Sequence, residues 1–233
     1  FLILLSTLLT ARPYNRIEID GYGFDWDVNE RISPENELGD SLWNIAEGLN
    51  DIKQVFVTWD HLNLYLRIDC KLKDAGLIVY FFYDSQFGSD DLTKLTVWNR
   101  KVKFNEKCPL FYAAWAGQTG EFYRVVSSTV ATRISWYFNY TVKDTIYELA
   151  LPWNILFPYS EKTVPPAAVV KFVVCIVTGD VAEEQQDGVK FSYGYIGADT
   201  FPDNKINFMS ENKLENFYCV TIDKNKDGTP DNY

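Results

Sequence analysis

A chain of 233 residues that is 47% apolar and 16% aromatic is far from a disordered composition, and its length suits one large β-sandwich or barrel. The formal charge of -10, with Lys and Arg scattered rather than striped, argues against nucleic acid as a partner and favours cations.

The first eleven residues, Phe1-Leu2-Ile3-Leu4-Leu5-Ser6-Thr7-Leu8-Leu9-Thr10-Ala11, are the most apolar stretch. As a helix they reach only about 17 Å, too short for a bilayer core of about 30 Å, so no transmembrane segment is expected. As an extended strand they run about 36 Å. Three readings compete: the apolar core of a signal peptide, a first strand of the chain's own sheet, and a strand lent to a neighbouring subunit. The first fits poorly, since no basic residue precedes the stretch and cleavage after Ala11 would place Leu9 where a small residue is wanted. Burying Phe1, Leu2, Ile3, Leu4, Leu5, Leu8 and Leu9 would contribute roughly 10 to 20 kcal/mol. Exposed, they would aggregate. Residues 1-13 are therefore read as a hydrophobic arm with Pro13 as its hinge, and 14-233 as a single domain.

Arg16-Ile17-Glu18-Ile19-Asp20 alternates and reads as a short strand ending in the turn Gly21-Tyr22-Gly23. From Asn29 to Asn50 turn formers and acids predict a long surface loop with at most one helical turn, near Ser41 to Ala46. Val55 to Trp59 and Leu64 to Cys70 flank the turn Asp60-His61-Leu62-Asn63 and predict a hairpin. Its second limb sends Leu64, Leu66, Ile68 and Cys70 to one face. The lone histidine, His61, is read as a turn residue. Leu77 to Tyr83 is a continuous apolar run suited to a strand covered on both faces.

Further strands are expected at Leu95 to Phe104, Leu110 to Ala116, Glu121 to Ser127, Thr132 to Tyr140, Thr145 to Leu151, Val169 to Thr178, Phe191 to Ile196 and Phe217 to Ile222. Asp180 to Gly188 reads as an acidic loop. The spacing is that of an all-β antiparallel sandwich. Cys70, Cys108, Cys175 and Cys219 show no CxxC pair, so zinc and redox readings are weak. Export would favour one or two disulfides, whereas Cys70 and Cys175, on strand-like runs, also read as small buried apolar residues.

Four pieces in this order resemble one family. They are Ile17-Glu18-Ile19-Asp20-Gly21 with Asp25-Trp26, Trp59-Asp60 with Asn63-Leu64-Tyr65-Leu66, Tyr147-Glu148-Leu149-Ala150-Leu151-Pro152-Trp153, and Phe217 to Asp223. They are similar to the family 9 carbohydrate-binding modules and the DOMON-like domain at the C-terminus of glucodextranase. The resemblance implies a jelly-roll-like β-sandwich, often calcium-bearing, and sugar recognition between two tryptophans. Trp26, Trp43, Trp98, Trp115 and Trp136 are the candidate platforms, and no spacing among them selects a pair. Trp59 and Trp153 are expected in the core.

The strongest motif by spacing is Asp223-Lys224-Asn225-Lys226-Asp227-Gly228-Thr229-Pro230-Asp231. Side-chain ligands Asp223, Asn225, Asp227 and Asp231 fall at positions 1, 3, 5 and 9 of a calcium loop, with the Thr229 carbonyl at 7 and the bend at Gly228. Position 12 would lie beyond Tyr233, so another part of the fold, another subunit or water must complete the shell. Asp84, Asp90 and Asp91 form a second candidate set, because clustered carboxylates repel unless a cation intervenes. A third set, Asp180, Glu183, Glu184 and Asp187, reads as a solvated loop. Asn139-Tyr140-Thr141 is a glycosylation sequon of low specificity.

The sequence offers no nucleophile motif, phosphate loop or histidine-bearing metal triad, so an enzyme is not expected. The leading expectation is an extracellular, calcium-stabilised structural subunit, secreted and self-assembling into a homopolymeric filament or tube by donating Phe1 to Ala11 to the next copy. The alternative is a carbohydrate-binding module.

Overall fold

The computed structural model describes residues 17-34, 39-42, 48-134, 140-143, 145-178, 183-186, 189-192, 196-207 and 210-231. The N-terminal arm, Phe1 to Ala11, lies outside them.

Sixteen strands are described. The first eight are β1 (Ile52–Trp59), β2 (Asn63–Cys70), β3 (Ala75–Phe82), β4 (Ser89–Asp91), β5 (Val102–Cys108), β6 (Leu110–Trp115), β7 (Glu121–Val125) and β8 (Ala131–Ile134). The remainder are β9 (Tyr140–Lys143), β10 (Ile146–Pro152), β11 (Val169–Thr178), β12 (Glu183–Gln186), β13 (Val189–Ser192), β14 (Ile196–Phe201), β15 (Asn212–Leu214) and β16 (Tyr218–Thr221). One four-residue helix, α1 (Trp153–Leu156), follows β10.

Two main sheets face each other. The smaller runs β1-β2-β10-β9 and the larger β14-β11-β3-β6-β7-β8, with β16 also pairing with β11. The arrangement is the expected antiparallel sandwich and does not close into a barrel. Between the sheets lies the main core, where Leu64, Leu66 and Ile68 of β2 meet Leu77, Val79 and Phe81 of β3 and Val170, Phe172 and Val174 of β11. The period of two that puts these residues inward sends their neighbours outward.

On the larger sheet those neighbours are also apolar. Ile78, Tyr80 and Phe82 of β3 and Val173, Cys175 and Val177 of β11 form a second cluster with Leu92, Leu95, Val102, Phe104 and Leu214. Its cover includes the small sheet β15-β5-β4, in which β15 pairs parallel to β5. The apolar runs of β3 and, from Phe172 to Val177, of β11 are thus explained by burial on both faces, as expected for the first of them.

The smaller sheet is covered by residues 17-34. Ile17 and Trp26 pack on Phe56 of β1, Tyr65 of β2 and Ala150 of β10. The alternation at Ile17 and Ile19 therefore reflects a segment lying across a sheet, and the expected strand at 16-20 is not formed at residues 17-20. Two other expectations are corrected. The acidic run is a hairpin, β12 paired with β13, although residues 179-182 and 187-188 lie outside the description. No disulfide forms: Cys70, Cys108 and Cys175 are buried free thiols and Cys219 is an exposed one. Among the described residues no helix is long and apolar enough to cross a membrane.

Candidate functional site

The C-terminal loop is folded around its own acids. Asp223, only 1% exposed, accepts hydrogen bonds from Gly228 N (2.9 Å), Asp227 N (3.2 Å) and Ala167 N (3.0 Å). Asn225 Oδ1 accepts from Asp227 N at 2.9 Å, and Asp227 Oδ1 accepts from Thr229 N at 2.8 Å. The Thr229 hydroxyl also donates to Asp227 Oδ1, and these two donors hold the Asp227 carboxyl below the usual range. Asp231 Oδ2 accepts from Asn225 N at 3.2 Å. These bonds tie position 1 to 6, 3 to 5 and 5 to 7, and Gly228, at the position where a calcium loop carries its glycine, supplies the bend at φ +82°.

Two groups fasten this loop to the sandwich. Trp59 Nε1 donates to the Asp231 carbonyl at 2.8 Å, and the Lys162 ammonium donates to the Asp227 carbonyl. The donor set is all oxygen and suits a hard divalent cation. The carboxylates of Asp223, Asp227 and Asp231, however, do not converge on a single point.

Asp84, Asp90 and Asp91 are not brought together either. Asp91 Oδ1 caps a turn by accepting from Thr93 Oγ1 (2.6 Å) and Thr93 N (2.9 Å), bonds that hold its carboxyl below the usual range. Asp91 Oδ2 also lies 3.8 Å from Lys103. Asp90 is exposed on β4. Asp84 instead borders a cleft of about 690 Å³ with Gln86, Tyr159, Glu161 and Lys162. Tyr159 is 70% exposed there, and its ring lies 6.1 Å from that of Phe87. A second hollow of about 460 Å³ shares Asp84, Phe157 and Pro165 with it.

Three of the five candidate platform tryptophans, Trp26, Trp98 and Trp115, fall among the described residues. Trp26 is buried at 8% exposure, with Nε1 donating to Glu148 Oε1 at 2.9 Å, so it serves as cover for the smaller sheet and not as a sugar platform. Trp98 and Trp115 stack on each other, centroids 4.6 Å apart, with the Arg100 guanidinium 5.4 and 5.2 Å from their rings. A gap that narrow admits no sugar between them. Trp43 and Trp136 lie outside the described residues, as does Asn139 of the sequon. Trp59 and Trp153 are in the core as expected.

Sequence reasoning missed one cluster altogether. Asp40, Asp51 and Asp199 each bring a carboxylate oxygen to within 4.8 Å of the others, the one such group of three among the described residues. Burial pushes the Asp199 carboxyl up to about 8, with Asp40 and Asp51 adding to the rise. Asp40 and Asp51 are raised as well, in both cases chiefly by burial. Asp199 is remote in the chain from Asp40 and Asp51, which left no spacing to detect for the three. The chain matches no protein-family model and no curated protein.

Proposed function

We propose that the chain is a non-catalytic, secreted structural subunit, a calcium-stabilised β-sandwich that assembles into an extracellular filament or tube. The observation that supports calcium is the loop from Asp223 to Asp231, whose oxygen-bearing residues keep calcium-loop spacing and which folds back on its own acids around Gly228. Calcium bound there would supply positive charge to hold the acidic loop closed against its own repulsion. Assembly is supported by the apolar segment Phe1 to Ala11, which needs an apolar partner, and by edges onto which a strand can add. Among the described residues β8, β9 and β14 each pair on one side only.

Deleting residues 1-13 tests this reading. The truncated chain is expected to sediment as a monomer while the full chain forms polymers that a chelator softens or disassembles. Polymers of unchanged length from the truncated chain would rule out strand donation.

A second reading, carbohydrate recognition in the manner of the family 9 modules, is favoured by the cleft at Tyr159. An exposed ring ringed by Asp84, Gln86, Glu161 and Lys162 offers a stacking face with polar groups around it, the usual furnishing of a sugar site. Titration with soluble oligosaccharides, read by tryptophan and tyrosine fluorescence, distinguishes the two. A saturable response lost in Tyr159→Ala supports the module.

A further inference from the structure

We propose that Asp40, Asp51 and Asp199 form a second cation site, separate from the C-terminal loop, which takes calcium and clamps the loop before β1 to the edge strand β14. The geometry is a small all-oxygen cluster. One carboxylate oxygen from each residue lies within 4.8 Å of the other two, and two ligands on opposite sides of a calcium ion are separated by about that distance, twice a bond of roughly 2.4 Å.

The independent observation is at Asp51. Its residue is 1% exposed, its Oδ2 accepts from Gly39 N at 2.8 Å, and its Oδ1 is sealed from solvent with no N–H or O–H donor on it among the described residues, while the Asp51 carboxyl lies within hydrogen-bonding reach of that of Asp199. A buried carboxylate oxygen without a donor costs several kcal/mol unless a cation or a proton meets it. Asp199, 5% exposed, accepts from Ile52 N at 2.6 Å through Oδ2 and also takes a backbone hydrogen bond from Thr200. Asp40 is exposed and leaves that side open to water, which completes the shell of a calcium ion. Magnesium is the weaker fit, because it sheds water reluctantly and two of the three ligands are dry.

The surrounding backbone is already stitched for this purpose. Leu42 N donates to the Ala198 carbonyl at 2.8 Å, and Ser41 Oγ donates to the Asn50 carbonyl at 2.6 Å. A cation among the three aspartates would therefore join β1 of one sheet to β14 of the other through the loop at 39-42.

Calorimetric titration of calcium into the chelator-stripped full chain tests the site. The background carries Asp227→Asn and Asp231→Asn, which disable the C-terminal loop and leave the cluster intact. That background is expected to bind one equivalent of calcium. Adding Asp40→Asn, at an exposed position where folding is preserved, should weaken that binding roughly 10-fold or more, as loss even of an outer partner of a metal ligand does. Adding Asp51→Asn should abolish it, with circular dichroism confirming the fold. A background that binds no calcium, or an Asp40→Asn variant that titrates identically to it, overturns the proposal. Wild-type binding that disappears in the background assigns calcium to the C-terminal loop alone.

Discussion

The indole of Trp26 and the carboxylate of Glu148 are joined by a 2.9 Å hydrogen bond on the outer face of the smaller sheet. Glu148 is fully buried, and its other oxygen accepts from Gly21 N at 2.6 Å and Asp20 N at 3.0 Å. One side chain of β10 thereby gathers the turn at residues 20-21 and the indole that follows it. Arg67 of β2 secures the same segment, donating to the Gly23 carbonyl at 2.7 Å while its guanidinium sits 4.6 Å from the Phe56 ring centroid.

Trp26→Ala should therefore act on stability and not on recognition. Removing a buried indole costs about 3 to 5 kcal/mol. The midpoint of urea unfolding is expected to fall accordingly, and any oligosaccharide response of the folded variant to remain. A variant as stable as the parent would contradict the covering role.

The pH dependence of stability follows from Glu148. Burial raises its carboxyl above the usual value despite the hydrogen bonds that oppose the rise. The native state thus holds a proton that the unfolded chain releases near pH 4.3. This contribution is complete below that value and is lost as pH rises through the native one. Urea melts at pH 4 to 7 should show the parent's stability, relative to Glu148→Gln, declining as pH rises. An advantage that instead grows with pH would reverse the assignment.

Calcium should stabilise the fold. At a free concentration about 100 times the dissociation constant of a site, binding adds about 2.7 kcal/mol, equivalent to roughly 5 to 10 °C in Tm for a chain of this size. Differential scanning fluorimetry with calcium and then with excess chelator reads this directly. Asp223→Asn should reduce the shift, and an unaltered shift in that variant would exclude the C-terminal loop as the main site.

Trp59→Phe keeps most of the core volume but removes the N–H that holds the Asp231 carbonyl. One such bond contributes about 1 kcal/mol. A modest loss of stability is expected, together with faster hydrogen exchange in residues 223-231. Exchange there equal to the parent's would show that the loop stands without the indole.

The sandwich was legible where side-chain period was decisive. In β2 the alternation of Leu64, Leu66 and Ile68 with Tyr65 and Arg67 marks one core face, and in β11 the apolar run from Phe172 to Val177 marks two. Legibility failed where a polar or short element takes its form from a neighbour. β12 and β13 are four residues each, with Glu183 to Gln186 carrying no apolar signal. Ile17 and Ile19 mimic a strand because they turn the same way onto the face of the smaller sheet. The C-terminal loop was visible because its acids are close in sequence. Asp40, Asp51 and Asp199 were not, because only the crossing of β1 past β14 makes them neighbours. The role of Trp26 was hidden for a related reason: an indole that covers a sheet and one that stacks on a sugar look alike in a string of letters.

The uneven placement of sulfur has a practical outcome. Cys70, Cys108 and Cys175 are shut inside, while Cys219 on β16 meets solvent, so a maleimide reagent finds one address on the native chain and four once it opens. Labelling stoichiometry is therefore a built-in gauge of unfolding. The same lone handle accepts a dye or a gold particle, without any substitution, at a chosen spot on every chain.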